Sequence, residues 1–226
     1  MNIEDVRKLL SKASQSERAA MLTILRSEYG LAIHPLETKW KTTAEAVLEA
    51  IDQSSDLTQR GIRGILAEAT FRTLIVPQWS PRWAQVPVLG DGAFDVMLRD
   101  ATGDVRIQVK LQRREKGIPK LFKGGSGTYV VETQRTRNGT RTDAVAGTKP
   151  QATRPYRVDE FDVLAVCLQP LTGDWRDFIY CAVVDLITRP ADPELLAVMQ
   201  PIQTEDSPFW SHDIEHAIRR ALPQRS

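Results

Sequence analysis

Residues 94–110 read FDVMLRDATGDVRIQVK, and the way they pair decides the fold. Two runs of strand character, Phe94 to Arg99 and Val105 to Leu111, flank Asp100-Ala101-Thr102-Gly103-Asp104, a turn-rich segment of the kind that closes a hairpin. Side chains alternate across a strand, so Gln108 and Lys110 share one face while Val109 takes the other. A hairpin closing around Ala101-Thr102 sets Asp95 roughly opposite Gln108. One carboxylate, one amide and one ammonium then meet on the same patch of sheet.

Upstream of this hairpin the chain reads as helix. Ile3, Val6, Leu9 and Leu10 have helical spacing, Ser14 is placed to cap a second helix ending at Gly30, and a third covers Thr43 to Ile51. Leu57 to Ile75 is the longest helix, with Ile62, Ile65, Leu66, Ala69 and Leu74 expected on its apolar side and Pro77 and Pro81 marking its end. Further strands are expected at Gln85 to Leu89, Thr128 to Thr133, Phe161 to Leu168 and Phe178 to Leu186. The last two are apolar enough to be covered on both faces. Residues 115–127 and 136–155 read as long polar loops, and a final helix runs from Ser211, its N-cap, to Leu222. Trp79, Trp83, Trp175 and Trp210 are expected to pack against loops or a partner subunit. The expectation is one α/β domain over 1–226: a helical part over 1–55, a core over 56–190 and a C-terminal helical part over 191–226.

Composition narrows the classes. The 226 residues are 42% hydrophobic, ordinary for a soluble globular chain. No apolar run approaches the roughly 20 residues that span a bilayer, and the opening MNIEDVRKLL lacks a signal-peptide stretch, so a cytoplasmic location is expected. Cys167 and Cys181 read as buried free thiols, with a single disulfide as the alternative. The net charge is only +1, yet Arg106 to Val158 holds 13 Lys and Arg against 3 Asp and Glu, leaving 17 basic and 26 acidic residues elsewhere. A local balance of +10 on a remainder of −9 is the footprint of a polyanion-binding surface. The chain contains no GxGxxG, GxxxxGKS/T or GxSxG, which removes support for Rossmann enzymes, nucleotide-driven motors and serine hydrolases.

The hairpin cluster has a chemical use. Hydrolysing a phosphodiester requires a divalent cation to stabilise the phosphorane and a water made nucleophilic in line with the leaving oxygen. Hard cations such as Mg2+ take oxygen ligands. Asp95 supplies a carboxylate, Gln108 a neutral oxygen and Val109 a backbone carbonyl, while Lys110 is placed to orient the water or help deprotonate it. These residues resemble the PD-(D/E)XK nuclease superfamily, which includes most type II restriction endonucleases. Its pattern is an Asp on one strand, an acidic residue, any residue and Lys on the next, and often a Glu on a preceding helix. Asp95 matches the first position, Gln108-Val109-Lys110 the tripartite element, and Glu68 in RGILAEATF the helical acid. The motif match spans Thr58 to Leu111, and the element order extends it to about Leu186.

The resemblance implies a restriction-endonuclease-like core, a mixed central β-sheet flanked by helices, and a Mg2+-dependent, sequence-specific double-stranded DNA endonuclease leaving 5′-phosphate and 3′-hydroxyl ends. It implies a homodimer as well, with the N-terminal helices supplying dimer or minor recognition contacts. Two departures stand out. Phe94 replaces the proline, and Gln108 stands where an acid is usual, which removes one charge and makes Glu68 the second carboxylate. Gly61, Gly64 and Glu68 share a helix face, where the glycines let a strand or a phosphate backbone approach. The alternatives are a repair, recombination or transposon-end endonuclease, or a catalytically degenerate DNA-binding module.

Basic side chains follow Lys110 directly. Arg113, Arg114, Lys116, Lys120 and Lys123 line the exit from the strand, and Gln134, Arg135, Arg137, Asn138 and Arg141 form a mixed set able to read bases as well as phosphates. Arg154 and Arg157 are further DNA-contact candidates. Glu132 and Asp162 are rival metal ligands, Asp162 being read first as structural. His212 and His216 have i, i+4 spacing but no third ligand nearby, so no zinc site is expected.

Overall fold

The computed structural model describes residues 2–32, 34–88, 92–123, 127–134 and 155–222. It divides into two units, Met1–Arg60 and Gly61–Ser226. The first holds the helices α1 (Ile3–Lys12), α2 (Gln15–Tyr29), α3 (Pro35–Trp40) and α4 (Ala44–Asp52). Their ends are written in the sequence. Asn2 and Ser14 form capping boxes with Asp5 and Glu17, Thr43 caps α4, and Gly30 closes α2 in the left-handed conformation. Arg26 pairs with Glu37 at 2.5 Å and also with Glu45, joining α2 to α3 and α4. Among the described residues of this unit Ala13 is the one buried hydrophobic, and Ile3, Leu9, Leu22, Ile24 and Leu25 are exposed. The helix α3 was not expected.

The second unit is a mixed α/β layer structure. The helix α5 (Asp56–Thr70) runs into it and continues as a π-helical turn, Phe71–Ile75, and a 3-10 turn, Val76–Trp79. The strands are β1 (Ala84–Val86), β2 (Val96–Asp100), β3 (Gly103–Leu111), β4 (Arg114–Glu115), β5 (Ile118–Pro119), β6 (Tyr129–Glu132), β7 (Val163–Cys167), β8 (Phe178–Ala182), β9 (Thr188–Arg189), β10 (Asp192–Leu196), β11 (Met199–Ile202) and β12 (Trp210–Ser211). A short α6 (Gln169–Thr172) and the terminal α7 (Ile214–Ala221) complete it. Six strands form the central sheet in the order β1-β2-β3-β7-β8-β12. Only β3 and β7 pair in parallel among them, so the sheet is mixed.

The hairpin β2–β3 has the expected register, Val96 opposite Ile107 and Asp100 opposite Gly103, with Ala101-Thr102 at the turn. One face of the sheet carries Val96, Leu98, Val105, Ile107, Val109, Val163 and Ala165, and it packs on Ala67 and Phe71 together with Ala217 and Ile218 of α7. The opposite face, Leu164, Val166 and Ile179, is covered by Val131, Tyr156, Leu196 and Ile202. Helices therefore flank one face, and strand-bearing segments fill the other. Double coverage explains why every residue of β7 and β8 is buried. Trp83 and Trp210 are buried in these two cores, and Trp79 and Trp175 pack against the first.

Several expectations are corrected. The region 191–226 is not simply helical: it contains β10, β11 and β12 before α7. Pro193, Pro201 and Pro208 remove amide donors and break helical continuity there. The apolar face expected for the long helix is also rotated: Ile65, Leu66 and Leu74 are exposed, while Ala67, Phe71 and Ile75 face the core. Apolar residues lie on both sides of this helix, and small Ala67 allows the closer approach. Residues 115–123, expected as loop, include the β4–β5 hairpin turning at Lys116-Gly117. Helix α7 is capped by Asp213, which accepts from the Glu215 amide at 3.0 Å, and not by Ser211. A Cβ on Gly61 or Gly64 would meet nothing within 4 Å, so no strand of the described residues approaches there. Cys167 and Cys181 are free and belong to opposite faces of the sheet, which rules out the disulfide. Burial pushes the Cys167 thiol up to about 12, leaving an inert packing group.

Candidate active site

Alternation along β3 builds the site. Val105, Ile107 and Val109 enter the helix-side core, so Arg106, Gln108, Lys110 and Gln112 share the other face. Each of the first three finds a different partner. Arg106 pairs with Asp162 at 2.8 Å, and its backbone amide donates to the same carboxylate at 2.7 Å, pinning the start of β7 to β3. Asp162 is therefore structural, as first read. Lys110 donates through Nζ to the Tyr156 hydroxyl at 3.2 Å, with the ring centroid 5.1 Å away. Tyr156 in turn meets Phe161 edge to face, so the lysine rests on a fixed ring. Gln112 is buried with neither amide atom bonded among the described residues, and nothing in the structure explains it.

Gln108 makes the central contact. Asp95 lies one residue before β2, where the hairpin register places it across from Gln108. Its Oδ2 accepts from the Val109 amide at 2.8 Å and from Gln108 Nε2. The same Nε2 donates to the Val109 carbonyl at 3.2 Å. A carboxylate oxygen and a carbonyl oxygen thus converge on one positive donor. Such convergence of oxygens suits a hard cation, and turning the Gln108 amide exchanges Nε2 for Oε1, adding a third oxygen. The donor set is one that fits Mg2+.

The helix adds a second acid. Glu68 bonds Arg72 Nη2 at 2.7 Å, and that nitrogen also donates to the Asp95 carbonyl at 2.6 Å. Burial, reinforced by the nearby Asp95 charge, pushes the Glu68 carboxyl above its ordinary value, against the pull of Arg72 and Lys110. Burial likewise raises Asp95, opposed by Lys110, the Val109 amide and Arg72. Burial and the Asp95 charge both disfavour an ionised Glu68, an effect that a nearby cation would relieve.

Arg72 and Tyr156 were missed in the sequence. Arg72 had a legible signal, since it stands four residues after Glu68 and makes an i, i+4 pair. Tyr156 had none, because 46 residues separate it from Lys110. Glu132, the other rival ligand, pairs with Arg113 and accepts from Gln134. His212 bonds Asp206 at 2.9 Å while His216 bonds the Pro208 carbonyl at 3.2 Å, so both histidines brace the connection between β11 and β12 through different partners.

Among the described residues most of the basic candidates are already engaged. Arg157 donates to Glu194 at 2.7 Å, and Arg113 is held by Glu132. On the β4–β5 hairpin, Arg114 bonds the Gly117 carbonyl at 3.0 Å through Nε and Lys120 pairs with Glu115 at 3.3 Å. Lys116 and Lys123 are exposed. Arg135, Arg137, Asn138, Arg141 and Arg154 lie outside the described residues.

No family model matches this chain, and no curated protein does. A solved structure of a bacterial homing endonuclease, I-Ssp6803I, is similar at 23% identity over 57% of this chain and 68% of that chain, with a TM-score of 0.30. A superposition that loose establishes neither fold nor activity. No helix among the described residues is long and apolar enough to cross a membrane.

The raised carboxyls carry a stability consequence. The folded protein holds protons more tightly than the unfolded chain, so the ionised acids oppose folding as the pH rises through their folded values, and the penalty vanishes below the unfolded values. An asparagine oxygen at position 95 keeps the acceptor role without the charge. Asp95→Asn should therefore raise the melting temperature in chelator at pH 7.5, by about 2–4 °C for each kcal/mol relieved. Near pH 3 the gain should disappear. A lower melting temperature than wild type at pH 7.5 would contradict the burial account.

Proposed function

We propose that this protein is a Mg2+-dependent endonuclease acting on double-stranded DNA, of the PD-(D/E)XK kind and in character most like a type II restriction enzyme. The observation that carries the reading is the convergence of Asp95 Oδ2 and the Val109 carbonyl on Gln108 Nε2, with Lys110 on the same strand face. Asp95, Glu68, the Val109 carbonyl and Gln108 Oε1 would hold Mg2+. When bound, the ion would stabilise charge on the phosphorane and acidify its water.

The chain's own groups do the rest. Asp95 is oriented by the Val109 amide, which fixes one oxygen of the carboxylate. Lys110, steadied by Tyr156, presents a positive Nζ that orients the attacking water and stabilises the hydroxide it becomes. Attack at phosphorus by the hydroxide, whose water has given its proton to solvent, breaks the bond to the 3′-oxygen, which takes up a proton from solvent, so the phosphate remains on the 5′ end. Arg114, Lys116, Lys120 and Lys123, on and just beyond the hairpin after β3, would steer the backbone phosphates toward the site.

A long mixed-sequence DNA incubated with Mg2+ tests this reading, using wild type beside Lys110→Ala. Discrete fragments from wild type, with a loss of at least about 100-fold in the variant, are expected. Cleavage confined to branched or damaged DNA would favour a repair or recombination enzyme. Intact DNA from both proteins despite tight binding would mean a binding module with a degenerate site.

A second copy of the chain is the partner proposed for α1. Ile3, Val6 and Leu10 form an exposed stripe on this helix. Glu4 and Asp5 occupy its first turn, and Lys8 and Lys12 its second half. An antiparallel two-fold pairing would set the acids of one copy beside the bases of the other, a self-complementary arrangement. Light scattering should give a dimer mass, shifting to monomer for Val6→Asp. Glu4→Lys should weaken the dimer, and adding Lys8→Glu should restore it. A wild-type monomer at every concentration would refute the pairing.

A further inference from the structure

We infer that Arg72 is the positioning residue that joins the two halves of the site, holding Glu68 on the helix and Asp95 on the strand through one guanidinium nitrogen. The inference rests on the cation-site reading above and adds to it a residue outside the ligand set. Arg72 Nη2 lies 2.7 Å from Glu68 Oε1 and 2.6 Å from the Asp95 carbonyl. The two hydrogens of that nitrogen diverge in the guanidinium plane, so one atom serves an acceptor on each element. Among the described residues, no backbone bond between the helix and the Asp95 segment does this work. The Asp95 amide instead donates to the Ile107 carbonyl at 3.0 Å, within the hairpin. Without the guanidinium, the helical acid and the strand acid would be tied only through the general core.

Local structure supports the assignment. Arg72 sits in the π-helical turn Phe71–Ile75, between two side chains that are both buried. A π turn widens the helix by one residue and resets the direction of the next turn, and such turns recur at functional sites. Here it keeps Phe71 and Ile75 in the core while Arg72 points to the strand entry. The placement has a cost, because Arg72 Nε is buried with no acceptor among the described residues. A desolvated donor left unsatisfied opposes folding. An arginine held there only as surface charge would turn that nitrogen to water.

Arginine and lysine differ in the way that matters. Lysine keeps the positive charge near both acids, but its compact ammonium lacks the planar fork that sets the two bond directions. Arg72→Lys therefore separates geometry from charge. If Arg72 positions Glu68 for a cation, the penalty of the substitution should depend on Glu68 being present.

The test is calorimetric titration of Mn2+ into the full chain without DNA, for wild type, Arg72→Lys, Glu68→Gln and the double variant, with Asp95→Asn alongside. Arg72→Lys should weaken Mn2+ binding about tenfold, as loss of an outer partner does. The double variant should bind within about twofold of Glu68→Gln alone, since the residue through which Arg72 acts is then absent. An unchanged affinity in Arg72→Lys would overturn the assignment, as would the same tenfold loss in the Glu68→Gln background. Asp95→Asn distinguishes the two levels of failure. If it abolishes Mn2+ binding while Arg72→Lys has no effect, only the role of Arg72 falls. If it leaves Mn2+ binding intact, the cation site falls and the positioning role falls with it.

Discussion

The contact between the Asp95 carboxylate and the Gln108–Val109 stretch is the constraint on which the rest of the site depends. Asp95 has no regular strand partner of its own, because β2 begins at the next residue. Its position is set by the Ile107 carbonyl behind it, the Val109 amide in front and Arg72 at its own carbonyl. Charge-assisted bonds of this kind are stronger than neutral ones, and a partly buried carboxylate makes each of them matter. The sheet holds the geometry. β3 lies between β2 and β7, and its apolar side chains enter a core that cannot slip by one residue without exposing all of them.

Charge balance explains why a folded apo state is possible. Two acids, Glu68 and Asp95, face two cations, Arg72 and Lys110, and each cation pulls the acids toward ionisation while burial pushes the other way. The Gln108 amide contributes a partial positive charge where the Asp95 and Val109 oxygens converge. An acid in place of Gln108 would add a third negative charge beside Asp95, which the two cations would not offset. The glutamine thus lowers the cost of the empty state, and the same substitution leaves the site dependent on Glu68 for its second carboxylate. Arg72, bonded to that carboxylate, consequently bears on both states.

Much of this was legible in the sequence where the information is local. The Asp-Ala-Thr-Gly turn and the alternation of Val105, Ile107 and Val109 are enough to place Asp95 opposite Gln108. Ser14, Thr43 and Gly30 mark helix ends through their own side-chain or backbone chemistry. The failures are non-local. β11 is a strand because Met199 to Ile202 pairs with β6, more than 60 residues earlier, and Pro201 argues against a strand on propensity alone. The rotation of the long helix depends on which of two apolar sides meets the sheet. Tyr156 meets Lys110 only after the segment ahead of β7 has paired with β10 and packed over the sheet. Arg72 is intermediate: its pair with Glu68 is visible as spacing, but its bond to Asp95 exists only after the helix has docked.

The most direct test is diffraction from crystals of the protein soaked in Mn2+, with data collected at the manganese absorption edge. The account predicts an anomalous peak touching Asp95 and the Val109 carbonyl, with Gln108 turned so that Oε1 faces the ion. No peak at Asp95, with Gln108 Nε2 still donating to the carboxylate in saturating Mn2+, would contradict it: the cluster would then be a structural hydrogen-bond network of the hairpin.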